Sequence, residues 1–193
     1  MVGAGGDSIS DDGNGRATCT LDIVCEGGAH VGTEVREEEW LSICIVEDDA
    51  MNRLLLKTKL KHIFANTKTQ LSLSEYDSGE AVLEAHQHRH QRQQENKKET
   101  DDEGSNSGVG SEPWDVVIMD EYLQCGGMLG SEATKHMREA GSQAAIIACS
   151  ANCTVMDQER YLEGGATLCW TKPYPSDEEA FATICRARWL VRQ

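Results

Sequence analysis

Short apolar runs separated by polar and turn-forming residues dominate the chain from Leu41 onward. Five of these runs have the length and composition of buried β-strands. They are LSICIV (41–46), TQLSLSEY (69–76), WDVVIMD (114–120), AAIIAC (144–149) and ATLCW (166–170). A predicted helix follows each run, and strict alternation of strands and helices favours a parallel sheet covered by helices on both faces. The connections are expected to be right-handed crossovers.

The five helices are predicted from apolar spacing and from their first residues. DAMNRLLLKTKLKHIF carries Met51, Leu54, Leu55, Leu60 and Ile63 at helical spacing. The second and fifth helices are expected to begin after Ser78 and Ser176, since serine is a favoured N-cap. The third and fourth are predicted in GSEATKHMREA (130–140) and MDQERYLEGG (156–165).

Two segments lack the composition of a folded core. Residues 1 to about 40 are rich in glycine and acidic residues, which predicts a mostly disordered leader with one short strand, TCTLDIVC (18–25). The same stretch is also compatible with the tail of an upstream domain. Residues from about 87 to 112 are His/Gln-rich and then Ser/Gly-rich, which predicts a low-complexity insertion in a domain spanning 41–193.

Charge and cysteine placement exclude several functional classes. The 193-residue chain has a formal net charge of -15, which argues against binding nucleic acid or an anionic membrane through a basic face. No apolar run is long enough to span a bilayer, and the first residues do not form a signal peptide. The eight cysteines include no C-x-x-C pair, which disfavours a zinc ribbon and favours a reducing compartment, the cytoplasm or nucleus.

Polar residues that could take part in binding or catalysis lie where the predicted strands end. The first strand is followed by Glu47, Asp48 and Asp49, the third ends in Asp120, and Ser150 follows the fourth. Thr171, Lys172 and Pro173 follow the fifth strand. Ligands of open α/β sheets bind at the carboxyl ends of the strands, so these side chains are expected to meet at one edge.

The segments IVEDDAMNR, VVIMD, ACSAN and TKP resemble the signatures of response-regulator receiver domains, the CheY-like family of two-component signalling. The resemblance extends from Leu41 to Gln193, apart from the insertion. It implies a flavodoxin-like three-layer α/β sandwich with strand order 2-1-3-4-5. It also implies a phosphorelay signalling domain rather than an enzyme, one that is phosphorylated by a histidine kinase or a histidine phosphotransfer protein.

The resemblance assigns a role to each polar side chain at the sheet edge. Asp120 would accept the phosphoryl group, the Lys172 ammonium would pair with it, and the Ser150 hydroxyl would donate to it. The implied Mg²⁺ ligands are Glu47, Asp48, Asp120 and the backbone carbonyl of Tyr122. Such a cation suits the site, because phosphoryl transfer needs charge neutralisation and Mg²⁺ prefers carboxylate and phosphate oxygens. Output would pass through the face formed by the fourth helix, fifth strand and fifth helix.

The chain departs from the family pattern near the fifth strand and after the acceptor. The residue three before Lys172, an aromatic switch residue in the family, is Cys169. Trp170 lies beside it, but strand alternation predicts that it points to the other face. EYLQCGGMLG (121–130) replaces the usual short loop after the acceptor. Asn152 lies two residues after Ser150, a position that flanks the phosphoryl group in the family.

Other interpretations remain open at this stage. The chain could be a degenerate receiver that only binds partner proteins. An aspartyl-phosphate hydrolase is less favoured, since haloacid-dehalogenase-like enzymes have a second Asp where Tyr122 stands. His86, His88 and His90 are candidates for a metal or phosphohistidine site, but their segment lacks the apolar periodicity that a phosphotransfer histidine needs, and no functional role is assigned to them. The domain could stand alone or be the C-terminal receiver of a hybrid histidine kinase.

Overall fold

The computed structural model describes residues 8–11, 17–20, 40–88, 113–123 and 127–193. The chain divides into two units, Met1–Glu39 and Trp40–Gln193. In the first unit, β1 (Ser8–Asp11) pairs in antiparallel fashion with β2 (Ala17–Thr20). The strand β2 overlaps the start of the segment predicted as a strand at 18–25. The rest of the predicted leader lies outside the described residues.

The second unit alternates strands and helices as the apolar pattern predicts. Its elements are β3 (Trp40–Val46), α1 (Ala50–Phe64), β4 (Gln70–Tyr76), α2 (79–88), β5 (Val116–Asp120), α3 (Gly130–Glu139), β6 (Ala145–Ser150), α4 (Val155–Glu163), β7 (Leu168–Thr171) and α5 (Asp177–Val191). The five strands form one parallel sheet in the order β4-β3-β5-β6-β7. Numbered within this unit, the order is 2-1-3-4-5, which confirms the predicted flavodoxin-like topology.

Helices cover both faces of the sheet. On one face, Ile45, Ile118 and Ile147 pack in a core that also contains buried residues of α1 and α5. On the other face, Val117 and Met119 belong to a core shared with α2 and α3. Every residue of β5 and β6 is buried. This burial on two sides explains why their sequences are continuous apolar runs without alternation.

The buried residues of the first helix are mostly not the apolar residues whose spacing predicted it. The buried residues of α1 are Leu56, Leu60 and Phe64, at intervals of four, which places them on one helix face. Met51, Leu54 and Leu55 are exposed. Apolar residues occur on more than one side of this helix, so spacing alone cannot determine which side faces the sheet.

No functional role was assigned to His86 from the sequence, and the structure places it in the core. Its side chain is fully buried in α2 and stacks on Trp114, with 6.2 Å between ring centroids. The helix begins as predicted after Ser78, whose hydroxyl oxygen accepts a hydrogen bond from the Ala81 amide. It continues through residue 88, so the first two residues assigned to the insertion are helical. His90 and the remainder of the predicted insertion lie outside the described residues.

The segment 89–112 is expected to be dispensable for folding. Replacing it with a short Gly/Ser linker should preserve a cooperative urea transition, because loop-closure cost changes by only about 0.6 kcal/mol per doubling of loop length. A matched replacement of residues 86–112 should lower the transition midpoint, since it removes the buried His86 ring from Trp114. Loss of the cooperative transition in the first variant would show that 89–112 is structurally required.

Candidate functional site

The carboxyl ends of four parallel strands carry the predicted site residues. Glu47 and Asp48 follow β3, Asp120 is the last residue of β5, and Ser150 is the last residue of β6. The register aligns Asp120 with Cys149, so the ends of β5 and β6 lie side by side. The Lys172 amide, just after β7, donates to the Ser150 carbonyl at 2.8 Å.

Three carboxylates converge at this edge. Glu47, Asp48 and Asp120 each offer an oxygen, and these oxygens lie within 4.8 Å of one another. The neighbouring acid, Asp49, has another role, because its carboxylate accepts the Asn52 amide at 2.8 Å and caps α1. Glu47, Asp48 and Asp49 are consecutive in sequence, but only Glu47 and Asp48 belong to the cluster, because Asp49 caps the helix.

The ammonium of Lys172 bridges two of the three acids. Its Nζ lies 2.7 Å from Glu47 Oε2 and 2.7 Å from Asp120 Oδ1. Burial alone would lower the pKa of Lys172, but its hydrogen bonds to Asp120 and Glu47 raise it above the usual value. The lysine therefore remains a cation, and it partly balances the negative charge of the cluster.

Burial also changes the acidity of Asp120. Desolvation raises its pKa from 3.8 to about 6, the Glu47 charge acts in the same direction, and the Lys172 hydrogen bond partly offsets both. A carboxyl group with this pKa is mostly ionised at pH 7 and above. Asp120 thus presents a carboxylate at the end of a buried strand, and a cation beside it would favour the ionised form further.

Residues outside the predicted set hold Glu47 in place. The Tyr174 hydroxyl donates to Glu47 Oε2 at 3.3 Å, and the Asn52 side-chain amide donates to Oε1 at 3.4 Å. The guanidinium of Arg53 donates to the backbone carbonyls of Glu47 and Asp48. Asn52 and Arg53 lie in the segment IVEDDAMNR and in the first turn of α1, but no role was assigned to them from the sequence. No sequence feature pointed to Tyr174.

The loop after Asp120 is anchored by its first residue. Glu121 is buried, and its carboxylate accepts the Ser131 amide at 2.9 Å and the Ser131 hydroxyl at 3.0 Å. The pKa of Glu121 is raised by burial, against the effect of these hydrogen bonds. Gly130 passes so close to the strand that a Cβ there would lie 1.9 Å from the Asp120 carbonyl oxygen. Tyr122 forms an isolated bridge with Leu129, and its side chain is exposed.

The strand β7 divides its side chains between the two faces as alternation predicts. Trp170 is buried in the core that includes Ile184. Cys169 packs on the opposite face, against the cluster of Ala148, Tyr161 and Ala166. The prediction that Trp170 points to the face opposite Cys169 is therefore confirmed.

The donor set fits a hard divalent cation. All the converging side-chain atoms are carboxylate oxygens, and Mg²⁺ typically binds one or two protein carboxylates while retaining water or phosphate oxygens. Glu47 and Asp120 are 2% and 6% exposed, so an ion there would lie in a partly desolvated pocket. The same edge presents a carboxylate, a lysine cation and a serine hydroxyl, groups that can neutralise and hydrogen-bond a phosphoryl group.

No described helix has the length and apolarity that a membrane crossing requires. No protein-family model matches the chain. It is 30% identical over 167 residues to Sensor protein EvgS of Escherichia coli K12, an alignment that covers 83% of this chain and 11% of that protein. The homologue in Escherichia coli O157:H7 is 30% identical over 139 residues, which is 72% of this chain and 9% of that protein. The chain thus matches only about a tenth of these relatives.

Solved receiver domains share the fold at low sequence identity. The receiver domain of sensor histidine kinase PA1611 from Pseudomonas aeruginosa, solved with magnesium in its active-site cleft, aligns with TM-score 0.53 and 21% identity over 77% of this chain and 97% of that chain. CheY4 of Vibrio cholerae aligns with TM-score 0.54 and 17% identity over 77% and 98%. The receiver domain of a Desulfovibrio desulfuricans diguanylate cyclase gives 0.56 and 17% over 80% and 98%.

The strand order and the two helix layers are shared with the solved receiver domains. The polar side chains at the sheet edge are consistent with that fold. Acids after β3, an aspartate at the end of β5, a serine at the end of β6 and a lysine after β7 occupy the positions that the sequence signatures predict. The unit Trp40–Gln193 has the fold of the solved CheY-like receiver domains.

Proposed function

We propose that this domain accepts a phosphoryl group on Asp120 in a Mg²⁺-dependent phosphorelay reaction and signals by changing conformation. The observation that carries the proposal is the contact of one ammonium, Lys172 Nζ, with both Asp120 and Glu47 at 2.7 Å. A lysine held beside a carboxylate nucleophile can pair with the oxygens of an incoming phosphoryl group. Asp48 lies in the same carboxylate cluster.

Each side chain has its own role in the proposed transfer. An Asp120 carboxylate oxygen attacks phosphorus, the bond from phosphorus to the histidine nitrogen of the donor breaks, and the imidazole leaves. The product is an acyl phosphate on Asp120. Lys172 then pairs with phosphoryl oxygens, and the Ser150 hydroxyl donates to one of them. Bound Mg²⁺ would be held by Glu47, Asp48, Asp120 and the Tyr122 carbonyl, and it supplies charge neutralisation during transfer.

The comparisons support the choice of phosphoryl donor. One solved relative by fold is the receiver domain of a sensor histidine kinase, with magnesium in its active-site cleft. The curated relatives are named as sensor proteins. We therefore infer a histidine kinase or a histidine phosphotransfer protein as the donor. Output through α4, β7 and α5 is supported by the exposed apolar side chains Val155, Met156 and Leu162 on α4.

Intact-mass spectrometry tests the proposal directly. Incubation with acetyl phosphate and Mg²⁺ should add one phosphoryl group, and EDTA should prevent its addition. Hydroxylamine should remove the adduct, because it cleaves acyl phosphates. A folded protein that gains no adduct would contradict the proposal and favour a receiver that acts only by binding partners. Continuous release of inorganic phosphate with many turnovers would instead favour a hydrolase.

A further inference from the structure

The helix α4 is attached to the domain mainly through one aromatic side chain. Tyr161 is the only buried residue of this helix and is 1% exposed, whereas Val155, Met156 and Leu162 are exposed. Its ring packs with Ala148 and Ala166, and Cys169 lies against this cluster.

The hydroxyl of Tyr161 is connected to the serine at the end of β6. It donates to the Asn152 carbonyl at 3.1 Å, and the Asn152 amide donates to Ser150 Oγ at 3.1 Å. Asn152 therefore links the two hydroxyls, because its carbonyl accepts from Tyr161 and its amide donates to Ser150.

A second link joins α4 to the end of β5. The guanidinium of Arg160 lies 3.2 Å from the buried carboxylate of Glu121, the residue directly after Asp120. The same guanidinium lies 5.2 Å from the centre of the Tyr161 ring. Two consecutive residues of α4 therefore contact the ends of the two strands that carry Asp120 and Ser150. A change at either strand end reaches the helix through these contacts.

We propose that Tyr161 is a positioning residue for Ser150, and that its hydroxyl makes α4 responsive to phosphorylation. The inference rests on the proposed function, in which Ser150 donates to a phosphoryl oxygen on Asp120. When the Ser150 hydroxyl turns to donate to the phosphoryl group, its oxygen moves relative to the Asn152 amide that donates to it. The segment 151–154 then shifts with Ser150, and the Asn152 carbonyl no longer holds Tyr161. Phosphorylation thereby loosens the buried attachment of α4.

The variant Tyr161→Phe separates this role from simple packing. It keeps the buried ring and removes only the hydroxyl. Beryllofluoride with Mg²⁺, a mimic of the acyl phosphate, should bind about five-fold more tightly to the variant, the factor that one net hydrogen bond represents. The reason is that binding need no longer break the hydrogen bond from the Tyr161 hydroxyl to the Asn152 carbonyl. A role limited to stability would not increase this affinity. Affinity is measured by titration calorimetry.

Two further variants test whether Tyr161 affects beryllofluoride binding through Ser150. Tyr76→Phe removes a hydroxyl outside the site and should leave beryllofluoride affinity unchanged. In a Ser150→Ala background, Tyr161→Phe should have no effect on affinity, because the coupling runs through the serine hydroxyl. An undiminished effect in that background would show that Tyr161 acts by another path and would overturn the proposal.

Hydrogen exchange on the wild-type protein provides a test that needs no variant to fold. Amide exchange in residues 155–163 should accelerate on adding beryllofluoride and Mg²⁺, and the corresponding change should be smaller in Tyr161→Phe. Unchanged α4 exchange in a wild-type protein that binds beryllofluoride would overturn the role of Tyr161. Unchanged or weaker beryllofluoride binding by folded Tyr161→Phe would do the same. Failure of the wild type to bind beryllofluoride would contradict the proposed function of Asp120 itself.

Discussion

Asp120→Asn should abolish the phosphoryl adduct formed with acetyl phosphate and Mg²⁺. An amide lacks the anionic oxygen that attacks phosphorus, and no other acid in the cluster ends the central strand β5. The burial that raises the pKa of Asp120 to about 6 also favours the neutral amide, so the variant should fold without loss of stability. Intact mass and peptide mapping measure the adduct, and a urea transition confirms folding.

The matched control for this variant is Asp49→Asn. Asp49 is an acid of the same cluster in sequence, but its carboxylate caps α1 by accepting the Asn52 amide. Asparagine is an equally good N-cap, so this variant should fold and keep the full adduct. An adduct that persists in Asp120→Asn, or that maps to a histidine, would show that the acceptor has been assigned to the wrong residue.

Asp48→Asn should weaken Mg²⁺ binding by at least about ten-fold, since it replaces a charged ligand of a hard cation with a neutral one. The same change reduces the repulsion among three carboxylates whose oxygens lie within 4.8 Å. Without Mg²⁺ the variant should therefore be at least as stable as the wild type. Calorimetric titration with MgCl₂ measures the affinity, and urea transitions with and without Mg²⁺ measure the stability.

Asp77→Asn is a suitable control for the Mg²⁺ titration. Asp77 is an exposed acid beyond the end of β4 and does not belong to the carboxylate cluster. The Asp77→Asn substitution removes the same unit of charge as Asp48→Asn. It should leave Mg²⁺ affinity nearly unchanged in about 0.15 M salt, where distant surface charges are screened. Equal Mg²⁺ affinities of the Asp48→Asn variant and the wild type would mean that the ion binds elsewhere.

The sequence by itself predicted the fold and the meeting of Glu47, Asp48, Asp120 and Lys172 at one edge of the sheet. Continuous apolar runs identify strands buried on two sides, and their alternation with helices makes the sheet parallel. Parallel strands place their carboxyl ends along one edge, so residues as distant as Glu47 and Lys172 are expected to meet. The caps Ser78 and Ser176 were also predictable, since they depend on hydrogen bonds only three residues away.

Only the tertiary structure decided which helix faces are buried and which residues support the site. The burial of Leu56 rather than Leu55, and of His86 against Trp114, depends on which face of each helix packs against the sheet. The contacts of Tyr174 with Glu47 and of Arg160 with Glu121 join residues far apart in sequence. No local pattern encodes such contacts, because each needs two elements to be packed before its atoms come within hydrogen-bonding distance.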